Sequence, residues 1–262
     1  MMKQRLGIST LTWVSKPVRE GIERAAELGF PWVDLGVLQN WSEFGVLDLW
    51  ENEDAILTPI EKVLEEKGIS VASLNASLVS GEEVLSVKDQ CRALCSAALR
   101  LNAQAGITLP TPSVKESFQI VVDYLAPIYE GCRQMGVPLM VETHYYQWTE
   151  KIENTLALLQ EFPGLRITLD ASHYIIQGLL PEDWESLVPY TGHCHVRPCA
   201  PKGWEGVEVP LEEASPLAYE WIQKMEQWGY QGLYGFEIIE GFGIPDTETA
   251  SVQMRDRLLQ RI

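Results

Sequence analysis

The sequence predicts a single (β/α)8 barrel over residues 1–262, and three observations carry that expectation. A unit of amphipathic helix, glycine and short apolar strand recurs along the chain. Within the later strands the polar residues share one parity. All four histidines, His144, His173, His193 and His195, stand at or near the ends of those apolar runs, close to carboxylates.

Taken in order, RLGIST (Arg5 to Thr10) is the first expected strand, and AAELGFPWVDLGV (Ala25 to Val37) holds a helix end, a glycine and strand two. The same unit returns in Leu64 to Asn75, Leu101 to Pro110, Cys132 to His144 and Glu161 to His173. GHCHV (Gly192 to Val196) is the seventh strand, and Trp228 to Ile238 supplies the eighth. Glycine after the last helical turn suits a left-handed C-cap, and a repeat of roughly 30 to 40 residues matches one βα unit. Between strands two and three, Ile56, Leu57, Ile60, Val63 and Leu64 share one helical face, with Glu61, Lys62, Glu65 and Glu66 opposite. Ser86 to Asp89 and Ser113 to Glu116 read as capping boxes that open helices three and four. Trp13, Trp41, Trp50, Trp148 and Trp204 follow strands one, two, two, five and seven, where an aromatic ring can cover a ligand or pack a loop onto the rim.

Composition narrows the function. Acidic residues outnumber basic ones 37 to 20, a net charge of −17, and polyanion binding draws its affinity from Lys and Arg, so nucleic acid is not an expected partner. No run approaches the ~18 apolar residues of a spanning helix. The basic start, MMKQR, leads directly into a mixed strand without a signal-peptide core, which predicts a cytoplasmic protein with no membrane partner. The five cysteines, Cys91, Cys95, Cys132, Cys194 and Cys199, include no CxxC pair and are expected to be free thiols.

Strand parity then gathers a site. In strand five Leu139 and Val141 oppose Glu142 and His144; in strand six Leu165, Ile167 and Leu169 oppose Arg166, Thr168 and Asp170. Strand seven sets Cys194 and Val196 against His193, His195 and Arg197, and strand eight sets Tyr234, Phe236 and Ile238 against Gly235 and Glu237. Four successive strands thus aim polar ends into one lumen, where three carboxylates and an imidazole call for a divalent cation. Glu142, Asp170, His195 and Glu237 are the expected ligands of one ion. Three oxygens and one nitrogen suit Mn²⁺, Mg²⁺ or Co²⁺, with Zn²⁺ also admissible.

Glu142 after strand five, Asp170-x-x-His173, Gly192-His193-x-His195 and Glu237 together resemble the xylose isomerase-like barrel superfamily, including epimerases similar to D-tagatose 3-epimerase. The resemblance implies that Glu142, Asp170, His195 and Glu237 hold the metal, that His173 hydrogen-bonds substrate, and that Glu142 and Glu237 form the catalytic proton-transfer pair. Removing a proton beside a carbonyl needs a base and a stabiliser of the enediolate oxygen, and two glutamates beside a metal meet both needs. The chain departs from the epimerases at Pro198 and Pro201, where they carry Glu and Arg three and six residues after the strand-seven ligand. Arg197 and Lys202 are the nearby cations that could bind substrate instead, Arg197 alternatively pairing with a strand-end carboxylate. His144 could line the pocket or orient Glu142, Trp13 and Asn75 are further substrate-binding candidates, and His193, one step deeper, is expected to make a structural hydrogen bond.

The expected function is a metal-dependent isomerase or epimerase of a small sugar, ketose or polyol. A lyase similar to inosose dehydratase would use the same site and expel a hydroxyl. An apurinic-site endonuclease is disfavoured by the acidic charge and by Ser73, Asn75, Thr108 and Pro110 standing where further histidines would be needed. A catalytically silent sugar-binding barrel is disfavoured by the complete glutamate pair. Self-association into a homo-oligomer stays open.

Overall fold

A computed structural model describes residues 2–81 and 85–261. Eight parallel strands close in sequence order: β1 (Leu6–Ser9), β2 (Trp32–Val37), β3 (Ser70–Ala76), β4 (Gly106–Leu109), β5 (Leu139–Glu142), β6 (Arg166–Asp170), β7 (Thr191–Val196) and β8 (Leu233–Phe236), with β8 pairing β1. Around them run α1 (Val18–Glu27), α2 (Val46–Lys67), α3 (Val87–Arg100), α4 (Phe118–Met135), α5 (Ile152–Glu161), a single turn α6 (Ser172–Ile175), α7 (Leu217–Gln227) and α8 (Thr247–Leu259). Each strand's outward residues, such as Leu6 and Ile8, Val33 and Leu35, Ile167 and Leu169, are buried against this helical layer. No helix among the described residues is long and apolar enough to cross a membrane.

The local signals act much as the chemistry dictates. Gly68 and Gly136 adopt left-handed φ of 64° and 70° as the C-caps of α2 and α4, a conformation that costs glycine no Cβ clash. Ser86 caps α3, its hydroxyl accepting the Asp89 backbone N–H at 3.2 Å. The second expected capping box is corrected by the structure. Ser113 belongs to a turn bridged to Gln147, and the cap of α4 is Ser117, four residues later.

The lumen is filled by polar layers. Thr108 and Thr168 share a hydrogen bond of 2.7 Å across it. At a similar depth Asp34 on β2 accepts from Ser73 Oγ at 2.7 Å and meets His193 Nε2 on β7 at 3.0 Å. A side chain at position 235 of the intervening β8 would place its Cβ 3.1 Å from both Asp34 Cγ and His193 Nε2, so Gly235 clears the path for this contact. Register shifts occur at Val33/Asp34 and Ile167/Thr168, bulges that re-aim side chains just below the rim.

Candidate active site

Above those layers, at the carboxyl ends of the strands, Glu142 ends β5, Asp170 ends β6, His195 is the penultimate residue of β7 and Glu237 follows β8. Alternation of successive side chains puts all four in the lumen, and their donor atoms lie within 4.8 Å of one another. His195 Nδ1 is 2.7 Å from Glu142 Oε1 and 3.1 Å from Glu237 Oε2. In an octahedral shell with bonds of ~2.1 Å, neighbouring ligand atoms stand about 3.0 Å apart, so this set has the spacing and donor chemistry of a divalent-ion site.

Arg197, one residue past β7, crosses the same space. Its Nε donates to Asp170 Oδ2 at 2.7 Å, Nη1 donates to Glu208 Oε1 at 3.0 Å, Nη2 donates to Glu237 Oε2, and Glu142 Oε1 is 3.9 Å from Nη2. An ionised carboxylate oxygen has more than one lone pair, so Asp170 and Glu237 can hold this guanidinium and still offer electrons to an ion. Four buried carboxylates, Glu142, Asp170, Glu208 and Glu237, face two groups able to carry positive charge, Arg197 and His195. The excess of negative charge is what a divalent ion would relieve.

The protonation states follow. Burial pushes His195 toward neutrality, but Glu237 and Glu142 outweigh it and raise its pKa well above the usual imidazole value. A positive charge at Nδ1 is therefore favoured, whether proton or metal. Burial likewise raises Asp170, with Arg197 pulling the other way. Glu237 is drawn down to about 2 against its burial by Arg197 and His195. Glu208 is pushed up to about 7 by burial, which Arg197 only partly offsets.

Beside the carboxylates a cavity of about 200 Å³ is lined by Trp41, Asn75, Glu142, His144, Arg197, Trp204 and other residues. A larger depression of about 860 Å³ opens at the other end of the barrel, around Trp32, Arg166 and Gly192. Neither an imidazole nor a pair of carboxylates lines it among the described residues, so the smaller cavity is the candidate site. There the His144 ring packs tilted against that of His173 with centroids 4.0 Å apart, and Trp204 lies nearly parallel to His173 at 6.1 Å. His173 is fully buried, and neither ring nitrogen has a hydrogen-bond partner within the protein. Burial, reinforced by the charges of His144 and Arg197, depresses its pKa well below the ordinary value and keeps it neutral.

Of the substrate-binding candidates, His144, Asn75 and Arg197 reach the cavity, and His173 packs directly behind His144 and Trp204. Asn75 Nδ2 donates to Glu237 Oε1 at 2.7 Å. Trp13 and Lys202 lie outside this cavity. Trp13 is buried beneath the β1 loop and donates its indole N–H to Glu248 at 2.9 Å, because its ring serves to pack α1 and α8. Lys202 points to solvent and pairs with Glu213 at 2.9 Å. Sequence reasoning missed Glu208, a buried carboxylate with a left-handed φ of 55° that accepts from Arg197 and from the Ile239 backbone N–H at 3.1 Å. Its one available signal was that Arg197, entering a carboxylate-lined lumen, needs a partner on the loop that follows it.

A family profile described as xylose isomerase-like TIM barrel matches residues 22–258. The chain belongs to that family. No curated protein matches its sequence. Among solved structures it is similar to the probable 3-DHS dehydratase AsbF of Bacillus anthracis, involved in petrobactin synthesis, at 18% identity and a TM-score of 0.76 over 98% of this chain and 100% of that one. It is also similar to a D-tagatose 3-epimerase-like protein at 16% identity and a TM-score of 0.73, covering 98% and 97% of the two chains. A third is a xylose isomerase-like TIM barrel protein from Mycobacterium smegmatis in complex with magnesium, at 14% identity and a TM-score of 0.70, over 98% and 96%. At these identities the likeness is one of fold.

Proposed function

We propose that this family member is a divalent-cation-dependent isomerase or epimerase of a small sugar, ketose or polyol-derived ketone, with Glu142 and Glu237 exchanging the proton. The observation that carries the reading is the pair of glutamates that meet the same His195 nitrogen with ligand-like spacing. Glu142, Asp170, His195 and Glu237 would hold the ion, which when bound supplies positive charge to polarise a carbonyl and offset charge growing on its oxygen. The magnesium complex of the Mycobacterium smegmatis relative accords with such a site.

The chain's own residues do the rest. Glu142 lines the cavity, and only its Oε1 is engaged, by His195, leaving the other oxygen free to take a proton from a carbon beside the carbonyl. Glu237, held as an anion by Arg197 and Asn75 in the same cavity, would be the second member of the proton-transfer pair. His173, neutral and packed behind His144 and Trp204 with Nε2 3.6 Å from Asp170, would reach a substrate hydroxyl only once those rings turn aside, and Trp204 with His144 would keep water from the reacting carbon.

A lyase is the second reading, favoured by the likeness to the Bacillus anthracis dehydratase. It begins with the same proton removal and ends with expulsion of a β-hydroxyl. The deciding experiment strips the protein with chelator, restores Mn²⁺, and follows ketoses, inososes and hydroxypyruvate by product mass. Turnover that needs Mn²⁺ and conserves mass is expected; loss of water assigns the lyase, and turnover indifferent to chelation refutes the cation-dependent reading.

A further inference from the structure

Away from the barrel mouth, the packed faces of α3 and α4 bring three thiols together. Cys91 and Cys95, four residues apart on α3, share one helical face, and Cys132 projects from α4. The sulfurs form a nearly equilateral triangle with sides of 3.6, 3.7 and 3.9 Å. All three side chains are buried, and all are reduced. A disulfide needs sulfurs ~2.05 Å apart, so none of these pairs is bonded. A tetrahedral ion with bonds to sulfur of ~2.3 Å, by contrast, sets neighbouring sulfurs about 3.8 Å apart.

The surrounding backbone keeps this triangle open. An alanine at Gly131, next to Cys132, would put its Cβ 2.8 Å from Cys91 Sγ, so the glycine leaves that sulfur its place. Cys91 finds one further weak acceptor, the Ile128 carbonyl at 3.5 Å. Three S–H groups are otherwise left to one another, and a thiol is a weak donor and a weak acceptor. Three thiolates at this spacing repel unless a cation sits among them.

We propose that Cys91, Cys95 and Cys132 form a three-thiolate site for one thiophilic metal ion of the Zn²⁺ class, independent of the barrel-mouth carboxylates. Binding releases three protons to solvent as three S–H bonds give way to three metal–sulfur bonds, with no change of oxidation state, so affinity rises with pH. The ion ties α3 to α4 with the fourth coordination position left for a water or backbone oxygen. Soft sulfur donors separate this site from the oxygen-rich set at the mouth, which suits harder ions.

Cd²⁺ is the probe, because thiolate coordination gives it a near-ultraviolet charge-transfer band that carboxylates and imidazole do not. Reduced, chelator-stripped protein titrated with Cd²⁺ should develop this band to saturation at one ion per chain, and Zn²⁺ should compete it away. Cys132→Ser should weaken the band's Cd²⁺ affinity by at least about 100-fold, as expected for loss of one of three ligands. No band in the wild type, or an unchanged band in Cys132→Ser, overturns the assignment. Should the variant fold poorly, X-ray absorption at the cadmium edge of the wild type decides: the bound ion must show sulfur neighbours, and a shell of oxygen and nitrogen alone also refutes the site.

Discussion

Two histidines on β7, two residues apart and both fully buried against carboxylates, have opposite surroundings. His193 meets one carboxylate, Asp34, which Ser73 also satisfies. His195 meets Glu142 and Glu237 in a space that Asp170, Glu208 and Arg197 share. The lower pair balances one potential positive charge with one negative. The upper group carries more carboxylates than the protein neutralises, and that surplus marks it as the candidate site while the lower pair remains a strut.

The largest expected effect comes from removing a carboxylate of the upper group. Glu237→Gln should lower turnover on the order of 10³-fold, and its metal-free stability in guanidinium should also fall, because Arg197 and His195 lose the carboxylate that they hold ionised. A variant as active as wild type would remove Glu237 from the chemistry. The lower pair should lose stability without losing turnover. Asp34→Asn leaves His193 facing a neutral partner and should cost about 3 to 5 kcal/mol by denaturant titration, with turnover per folded molecule within about fivefold of wild type, an order of magnitude or more short of the loss expected from removing a catalytic acid or base. If instead it abolished turnover at unchanged stability, the two regions would have exchanged roles.

The pH dependence should separate the regions by sign. Asp34 has its carboxyl held below the ordinary 3.8, His193 overcoming the opposing effect of burial. Its stabilisation is present above that value and disappears as acidification passes its lower folded pKa. Glu208 runs the other way, because the folded protein retains its proton up to about 7 whereas the unfolded chain releases it near 4.5. Stability should therefore decline by up to about 3 kcal/mol between those values. Glu208→Gln should flatten this interval in a pH series of melting curves, and Asp34→Asn should flatten the acid limb alone.

Next in size is the effect of a cation on the upper group. Mn²⁺ at 100 times its dissociation constant should add about 2.7 kcal/mol and raise Tm by several degrees. Asp34→Asn should keep that increment and Glu237→Gln should lose most of it, which calorimetry with and without chelator measures. Smallest is Lys202→Ala. Its exposed pair with Glu213 should contribute less than about 1 kcal/mol, and turnover should not change; a large loss of activity would return Lys202 to the substrate pocket.

The barrel was legible because its information is local. Capping residues, glycine stops and alternating strands specify each βα unit without reference to the others, and parity alone aims Glu142, Asp170, His195 and Glu237 inward. His193 was legible for the same reason, since one step down the strand puts it beneath the rim. What escaped depended on loops. Ser113 and Ser117 both offer a hydroxyl before an apolar run, and only the turn bridged to Gln147 decides which one caps α4. Trp13 and Trp204 look alike as loop aromatics, yet one packs beneath the β1 loop and the other covers His173. Glu208 meets Arg197 through a turn whose left-handed backbone leaves no periodic trace in the sequence.

The contact from Asp34 to His193 passes the place where Gly235 carries no side chain, tying staves that are not neighbours in the ring. It acts as a chord across the barrel just under the mouth, in a ring whose bore follows from the number and stagger of its strands. Enlarging Gly235 would set a side chain against both partners, so the chord and a small residue at this position go together.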